Sequence, residues 1–186
     1  MRTSKKIVLV FIGAIILQIT VLFSMMILNE VKVRSGRKII VKTVPVDPRS
    51  LFRGDYIILN YEFSRIDLDK VNASKKYFYY GDKVFVKLAN IGEDWGIAFV
   101  GDKPIKDIKS DEIVIVGTVD RFGGFGPNKY INIKYGIESY FVPEGEGKRI
   151  ESQISKKRVK VELSIAKEGY ASVCRLFIDG KEVSFR

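Results

Sequence analysis

The chain has 186 residues, of which 46% are hydrophobic, and it carries a formal net charge of +10. It contains one cysteine and no histidine, which excludes an intramolecular disulfide, histidine-dependent catalytic triads and most zinc sites. Residues 1–38 hold seven basic side chains and one acidic side chain, whereas residues 39–186 hold 25 basic and 21 acidic ones. Because the excess charge flanks an apolar segment and forms no dense basic face, we expect no nucleic-acid binding.

Residues 7–28 form a long apolar segment without a charged side chain. As a helix this segment is about 33 Å long, which is enough to cross a hydrocarbon core of about 30 Å. A cleaved secretory signal is the first alternative, but the run is longer than usual and no small-residue cleavage site follows it. A buried core helix is the second alternative. We therefore predict an uncleaved, single-pass anchor in the cell membrane.

Basic residues lie on both sides of this anchor, so the positive-inside rule is nearly balanced. A domain of about 150 residues can be translocated largely regardless of such charges. We therefore predict that residues 1–6 are cytoplasmic, that residues 29–38 form a juxtamembrane connector, and that residues 39–186 form an extracytoplasmic domain. The lipid bilayer is then the partner of the helix.

Short runs of β-branched and aromatic residues, separated by turn signals, fill the rest of the chain and predict strands. The predicted strands are residues 39–46, 56–61, 83–91, 96–100, 112–122, 130–135, 140–142, 158–166, 172–178 and 182–185. Asp179-Gly180, between the last two, is typical of a type I′ hairpin turn. The fold class is therefore mainly β, a sandwich or a barrel-like domain, with one N-terminal transmembrane α-helix and one short soluble helix at residues 147–157.

Residues 158–166 alternate between apolar and polar side chains, as expected for a strand with one face on the core. The apolar positions are Val159, Val161, Leu163 and Ile165, and the polar positions, predicted to face water, are Arg158, Lys160, Glu162 and Ser164. Cys174, in the next apolar run, is predicted to be a buried and unreactive core residue.

The most distinctive pattern begins at Gly54-Asp55, which is predicted to form a tight turn before a strand. Alternation along that strand places Tyr61 on the same face as Leu59 and Tyr56 on the opposite face. We expect the two tyrosines to bury their rings and to hydrogen-bond their hydroxyls at the margin of a sheet. A binding role for them is the alternative.

These residues resemble the naming motif of the GDYXXLXY family of bacterial membrane-anchored proteins. The motif positions are Gly54, Asp55, Tyr56, Leu59 and Tyr61, and the resemblance extends to residues 44–49, 140–147 and 176–181. It implies a single N-terminal anchor, an outer domain and an association with polytopic membrane proteins. It supplies no catalytic residues.

The same region is more weakly similar to type I signal peptidases, which are membrane-anchored serine/lysine proteases. Pro45 occupies the position of their nucleophilic serine, and proline has no hydroxyl. The nearby hydroxyls of Thr43 and Ser50 do not have the expected spacing. This similarity implies a shared architecture without activity.

Two loops carry functional alternatives. Glu144 and Glu146 could offer carboxylates to a hard cation such as Ca²⁺, but a polar loop leading into the short helix is the better interpretation. Phe122 and Phe125, in the glycine-rich residues 121–127, could dock on the membrane or on a partner, but a hairpin connection is the default. We expect no metal site and no cofactor.

We therefore predict a non-catalytic, membrane-anchored outer domain that binds or stabilises a polytopic membrane protein. One alternative is a divergent serine/lysine hydrolase of the signal-peptidase kind. The other is a binder of envelope or anionic-lipid surfaces that acts through Lys32, Arg34, Arg37 and Lys38.

Overall fold

The computed structural model describes residues 2–44, 56–92, 94–124, 128–156 and 159–184. The chain divides into two compact units, Met1–Ser35 and Gly36–Arg186. The first unit is one helix, and the second holds the strands and a second helix.

The bounds of the helices and strands are as follows. The helices are α1 (Arg2–Ser35) and α2 (Gly147–Ser155), and Glu62–Ser64 form a 3₁₀ turn. The strands are β1 (Arg37–Val44), β2 (Tyr56–Ile58), β3 (Asn60–Tyr61), β4 (Arg65–Asp67), β5 (Asn72–Ala73), β6 (Lys83–Ile91), β7 (Asp94–Gly101), β8 (Glu112–Gly123), β9 (Tyr130–Lys134), β10 (Ser139–Phe141), β11 (Val159–Ile165), β12 (Ala171–Ile178) and β13 (Lys181–Glu182). The mainly β fold with one N-terminal apolar helix and one short helix is confirmed.

Helix α1 contains the apolar segment predicted from the sequence. Its residues Val10–Ile27 are long and apolar enough to cross a membrane, and every side chain in this stretch is exposed. The hydroxyl of Thr20 donates to the Ile16 carbonyl at 2.8 Å, and that of Ser24 donates to the Thr20 carbonyl at 2.7 Å. These polar groups are satisfied within the helix, as a hydrocarbon environment requires.

Most of residues 29–38, predicted as a juxtamembrane connector, lie in regular secondary structure. Helix α1 continues to Ser35 and β1 begins at Arg37, because no glycine or proline precedes Gly36 in this segment to end the helix earlier. A β-carbon at Gly36 would overlap the hydroxyl of Ser164. The start of the domain therefore requires glycine.

The strands pair in three groups. The orders are β13-β12-β11-β1-β3, then β10-β2, and then β4-β9-β8-β6-β7-β5. Among the described strands, all pairings are antiparallel except the short parallel pair β5-β7. Strands β2 and β3 follow each other along the chain, separated only by Leu59, so the motif segment connects the first group with the second.

The hydrophobic core is continuous through the second unit and includes the inner face of α2. Ile150 and Ile154 of α2 are buried, with 0% and 3% of their surfaces exposed, and α2 contacts β2, β1 and β11. The predicted short helix and its contact with the sheet are confirmed. The type I′ turn is also confirmed, since Asp179 and Gly180 have φ values of 50° and 78° and Ile178 pairs with Lys181.

One face of β11 departs from the prediction. Glu162 and Ser164 are 5% and 1% exposed and do not face water, because β11 lies between β1 and β12. Arg175 from β12 and Lys38 from β1 approach the Glu162 carboxylate at 2.6 and 3.5 Å. Long cations from the neighbouring strands thus cover a face that the pattern assigned to solvent. Arg158 lies outside the described residues.

Cys174 is half-buried, not fully buried as predicted. The register between β11 and β12 shifts at this point, where Glu162 pairs with Arg175 and Leu163 pairs with Val173. Cys174 is therefore the extra residue of a β-bulge. Burial raises the pKa of its thiol, which keeps it protonated at neutral pH.

Candidate binding cleft

The family motif forms a strand with one buried face and one partly exposed face. Leu59 and Tyr61 are 0% and 1% exposed, whereas Tyr56 is half-buried. This is the alternation that the spacing predicts. Gly54 and Asp55 lie outside the described residues.

Tyr61 belongs to an aromatic cluster that it forms with Phe63 and Tyr135. The Tyr61 ring stacks on Phe63, with 5.2 Å between ring centroids, and Tyr135 meets Phe63 edge-on at the same distance. The Tyr61 hydroxyl donates to the Ile137 carbonyl at 2.8 Å, and the Tyr135 hydroxyl donates to the Phe63 carbonyl at 2.7 Å. Burial, reinforced by the charge of Glu138, raises the pKa of both tyrosines. Both are therefore neutral hydrogen-bond donors with a structural role.

A carboxylate fixes the turn that leads from β9 into β10. Glu138 accepts hydrogen bonds from the backbone N–H groups of Tyr135 and Gly136, at 2.6 and 3.0 Å. Gly136 has a φ of 80°, which favours glycine. The Leu59 N–H donates to the Glu138 carbonyl at 2.7 Å, so the turn also sets the position of β10 beside the motif strand.

Two segments of the family resemblance pair directly. In the β2-β10 ladder, Tyr56 lies opposite Phe141, Ile57 opposite Tyr140, and Ile58 opposite Ser139. The Tyr56 and Phe141 rings meet edge-on at 6.2 Å, and Phe141 is 77% exposed. This ladder therefore presents aromatic surface to solvent.

A cavity of about 370 Å³ separates β10 from the beginning of β12. We call it the seam cleft. It is lined by Gly136, Ile137, Ser139, Tyr140, Phe141, Ala171, Ser172 and Val173. Burial and the nearby charge of Glu182 raise the pKa of Tyr140, so this wall of the cleft is neutral.

A second cavity of about 500 Å³ shares Gly136 with the seam cleft. We call it the basic pocket. It is lined by Lys83, Val116, Gly117, Thr118, Lys134, Tyr135, Gly136 and Tyr170. Lys83 donates to the Tyr170 hydroxyl at 2.8 Å, and Lys134 forms an ion pair with Asp120 at 2.6 Å. The hydrogen bond that Lys134 donates to the Asp120 carboxylate raises the pKa of Lys134 and keeps this lysine protonated.

The turn between β11 and β12 is held against β8, and its last residue, Tyr170, lines the basic pocket. The Val116 N–H donates to the Gly169 carbonyl at 2.8 Å. Gly169 has a φ of 87°, and a β-carbon there would come within 2.6 Å of the Val116 side chain. Glycine is therefore needed both for its conformation and for the close approach.

The seam cleft and the basic pocket together contain hydroxyls and amines, but their arrangement differs from that of a serine/lysine hydrolase. Such chemistry needs a neutral lysine beside the nucleophile, whereas the ion pair with Asp120 keeps Lys134 charged. Thr43 is buried and donates to the Val159 carbonyl at 3.0 Å. Pro45 and Ser50 lie outside the described residues.

Two of the four cations predicted to bind an anionic lipid surface have partners within the domain. Arg37 donates to the carbonyls of Glu112 and Ser110, at 2.7 Å each. Lys38 forms an ion pair with Glu162. Both cations therefore contact groups of the domain itself. The side chains of Lys32 and Arg34 are not among those described.

The two predicted loops are partly described. Glu146 pairs with Arg149 at 2.6 Å, and within the described ranges no three acidic or cysteine side chains come together as metal ligands. Phe122 is half-buried and packs near Tyr77, with 5.9 Å between centroids. Phe125 falls outside the described part of the chain.

Sequence reasoning missed the basic pocket and one wall of the seam cleft. Lys83, Lys134 and Tyr170 lie on three elements far apart in the chain and meet only through strand pairing. No local pattern marks them. The β10 wall, in contrast, falls within a segment that the family resemblance had already indicated.

The chain matches no curated protein and no solved structure. The weaker similarity to type I signal peptidases gains no support from these comparisons. A family model described as GDYXXLXY protein matches residues 18–176, which include the described motif positions, the β2-β10 ladder and most of β12. The chain therefore belongs to the GDYXXLXY family.

Proposed function

We propose that this protein is a membrane-anchored, non-catalytic module whose extracytoplasmic domain binds or stabilises a polytopic membrane protein. The observation that carries the proposal is the convergence of family segments on an open cleft. The motif strand β2 supports β10, β10 forms one wall of the seam cleft, and β12 forms the other. Glu182 follows the third family segment, residues 176–181, and its charge helps to raise the pKa of Tyr140 in the β10 wall.

The groups that line the cleft suit binding better than catalysis. They are backbone, small hydroxyls and aromatic rings, joined to a pocket with two cations. Cavities of 300–1,000 Å³ are typical of ligand sites, and exposed aromatic side chains such as Phe141 are enriched at protein interfaces. Helix α1 adds a means of meeting a partner within the bilayer.

A pull-down of the full-length protein in mild detergent, read by mass spectrometry, tests the partner. Ser172→Tyr places a ring in the seam cleft, whereas Ser152→Tyr adds the same ring to an exposed position on α2. We expect wild type and Ser152→Tyr to recover the same polytopic protein, and Ser172→Tyr to lose it. Recovery of the bait alone would contradict the proposal. Equal recovery of the partner with Ser172→Tyr would show that the seam cleft is not its binding site.

Cysteine labelling on intact cells tests the orientation. In a Cys174→Ala background, Glu168→Cys places a thiol on an exposed turn of the domain, and Ser4→Cys places one near the N-terminus. We expect a membrane-impermeant maleimide to label the first variant on intact cells and the second only after permeabilisation. The reverse pattern would place the domain in the cytoplasm.

A further inference from the structure

A series of paired strands runs from the beginning of β12 to β10, and both of these strands line the seam cleft. Ladders connect β12 to β11, β11 to β1, and β1 to β3, and the chain passes from β3 back through Leu59 to β2, which pairs with β10. Strand β13 pairs only with Phe177 and Ile178 of β12, so among the described strands the beginning of β12, which lines the seam cleft opposite β10, has no strand on its outer edge. Across the described residues, no backbone hydrogen bond joins β10 to β12.

The register shows which backbone groups on β10 point into the gap. The Leu59 N–H bonds the Glu138 carbonyl, so Glu138 and Tyr140 direct their backbone groups toward β2. Ser139 and Phe141, which alternate with them, direct theirs away from β2. Both line the seam cleft.

The same argument applies to β12. The Ala166 N–H bonds the Tyr170 carbonyl, so Ser172 directs its backbone groups toward β11. Ala171 and Val173 direct theirs away from β11 and also line the seam cleft. The gap is thus bordered on both sides by backbone donors and acceptors of unpaired strand edges, which are templates for another strand.

The directions of the strands favour one added strand. Four antiparallel pairings separate β12 from β10, so these two strands run the same way. A single strand that runs opposite to both would form two antiparallel ladders. The far end of β12 already accepts such a strand, since β13 pairs there and the Val183 N–H donates to the Leu176 carbonyl at 2.8 Å.

We propose that the seam cleft binds an extended segment of a partner polypeptide by strand addition between β10 and β12, with an acidic group at the C-terminal end of that segment in the basic pocket. This inference rests on the proposed function and specifies its mode of recognition. Peptide recognition by strand addition combines backbone hydrogen bonds, which supply affinity, with side-chain pockets, which supply specificity.

The basic pocket sets the position of the acidic group. Gly136, three residues before β10, and Tyr170, directly before β12, both line it, so a strand antiparallel to both ends there. Lys83 and Lys134 then face its terminal carboxylate or a nearby acidic side chain. Along the gap, Ile137, Ala171 and Val173 belong to or pack against the core, so every second residue of the segment is expected to be apolar.

Peptide binding to the full-length protein in detergent tests this inference. The probes are two fluorescein-labelled pools of hexapeptides with apolar residues at alternate positions, one with a free C-terminal carboxylate and one with a C-terminal amide. We expect saturable binding, measured by fluorescence anisotropy, that is tighter for the carboxylate pool. Absence of saturable binding would overturn the proposal.

Ala171→Pro removes an outward N–H while leaving the ladder between β11 and β12 its hydrogen bonds, and Ala171→Val keeps that N–H. We expect Ala171→Pro to weaken peptide binding at least about tenfold and Ala171→Val to preserve it. The double variant Lys83→Gln/Lys134→Gln should abolish the preference for the carboxylate. Equal binding by Ala171→Pro and Ala171→Val would overturn strand addition.

Amide hydrogen exchange on the wild-type protein gives a test that needs no variant. Saturation with the carboxylate pool should slow exchange at the outward amides of Ser139, Phe141, Ala171 and Val173. The amides of Tyr140 and Ser172 already belong to ladders and should not change. Slowing confined to other residues would overturn the proposal.

A photo-crosslinker at Ser172 in cells distinguishes the occupants. An adduct with a polytopic protein supports the proposal, whereas an adduct with residues 185–186 of the same chain or with a second copy overturns it.

If the pull-down succeeds but the peptide pools do not bind, strand addition is wrong and the proposed function stands. If the pools bind but no polytopic partner is recovered, the proposed function is wrong.

Discussion

The two faces of the motif strand lead to two different regions of the domain. On one face, Tyr61 joins the closed aromatic cluster, in which the rings are buried and both hydroxyls are hydrogen-bonded. On the other, Tyr56 supports Phe141 at the margin of the open seam cleft. A single short motif thus stabilises the fold with one face and borders a candidate binding surface with the other.

Phenylalanine truncation should separate the two regions most clearly. Phe63→Ala removes the central ring of the aromatic cluster, and we expect a loss of about 3–5 kcal/mol in the free energy of unfolding. Phe141→Ala, at 77% exposure, should cost about 1 kcal/mol or less. Urea unfolding in detergent, followed by the fluorescence of Trp95, the single tryptophan, measures both. Similar losses for the two variants would remove the distinction between a closed and an open region.

Two glycines with similar backbone angles test how tightly the cleft wall is held. Gly169 and Gly81 have φ values of 87° and 85°, but a β-carbon would contact Val116 only at Gly169 and would enter open space at Gly81. Gly81→Ala should cost about 1 kcal/mol from backbone strain alone, and Gly169→Ala about 1–3 kcal/mol more because of the overlap. Thermal unfolding compares the two variants. Equal losses of stability would show that the turn can shift to accommodate a β-carbon at Gly169.

Removing one tyrosine hydroxyl from the aromatic cluster and one from the basic pocket compares the closed region with the open one. Tyr61→Phe leaves the buried Ile137 carbonyl without its donor, and we expect a loss of about 1–3 kcal/mol. Tyr170→Phe breaks an exposed contact with Lys83 and should change stability by less than about 0.5 kcal/mol. The same urea titration measures both. A larger effect at Tyr170 would show that the basic pocket is itself a stabilising element.

The smallest effect is expected outside both regions, at Glu112. Hydrogen bonds from the Lys109 backbone and the Lys87 ammonium lower the pKa of the Glu112 carboxyl in the folded state. Its contribution to stability is therefore complete above the unfolded-state pKa of 4.5 and is lost as the pH falls through the lower folded-state value. Glu112→Gln should make unfolding less sensitive to acid below about pH 4.5, relative to Glu168→Gln on an exposed turn. Identical acid profiles would exclude this linkage.

The sequence predicts those features that local chemistry determines. The rhythm of apolar runs locates most of the strands, Asp179-Gly180 determines its own turn, and Ile150 and Ile154 indicate the inner face of α2. The sequence does not predict strands β4 and β5, because two or three residues are too few to show an alternation of apolar and polar side chains. The burial of Glu162 escapes it as well, since the covering Arg175 lies on a neighbouring strand.

The candidate site is predictable only in part. The motif spacing gives the buried and exposed faces of Tyr61 and Tyr56, but the pairing of Tyr56 with Phe141 joins residues far apart in the chain. Lys83 and Lys134 converge through the pairings of β6, β8 and β9. Such long-range registers depend on the packing of the whole core, which no short segment encodes.

The hydroxyls of Thr20 and Ser24 bond to carbonyls of their own helix, so this helix needs no neighbour to satisfy them. Held in a bilayer, such a helix would confine the domain to diffusion in two dimensions along the membrane. The local concentration of the domain at the membrane would then far exceed its average in the cell, and a segment of only a few residues would suffice for frequent occupancy.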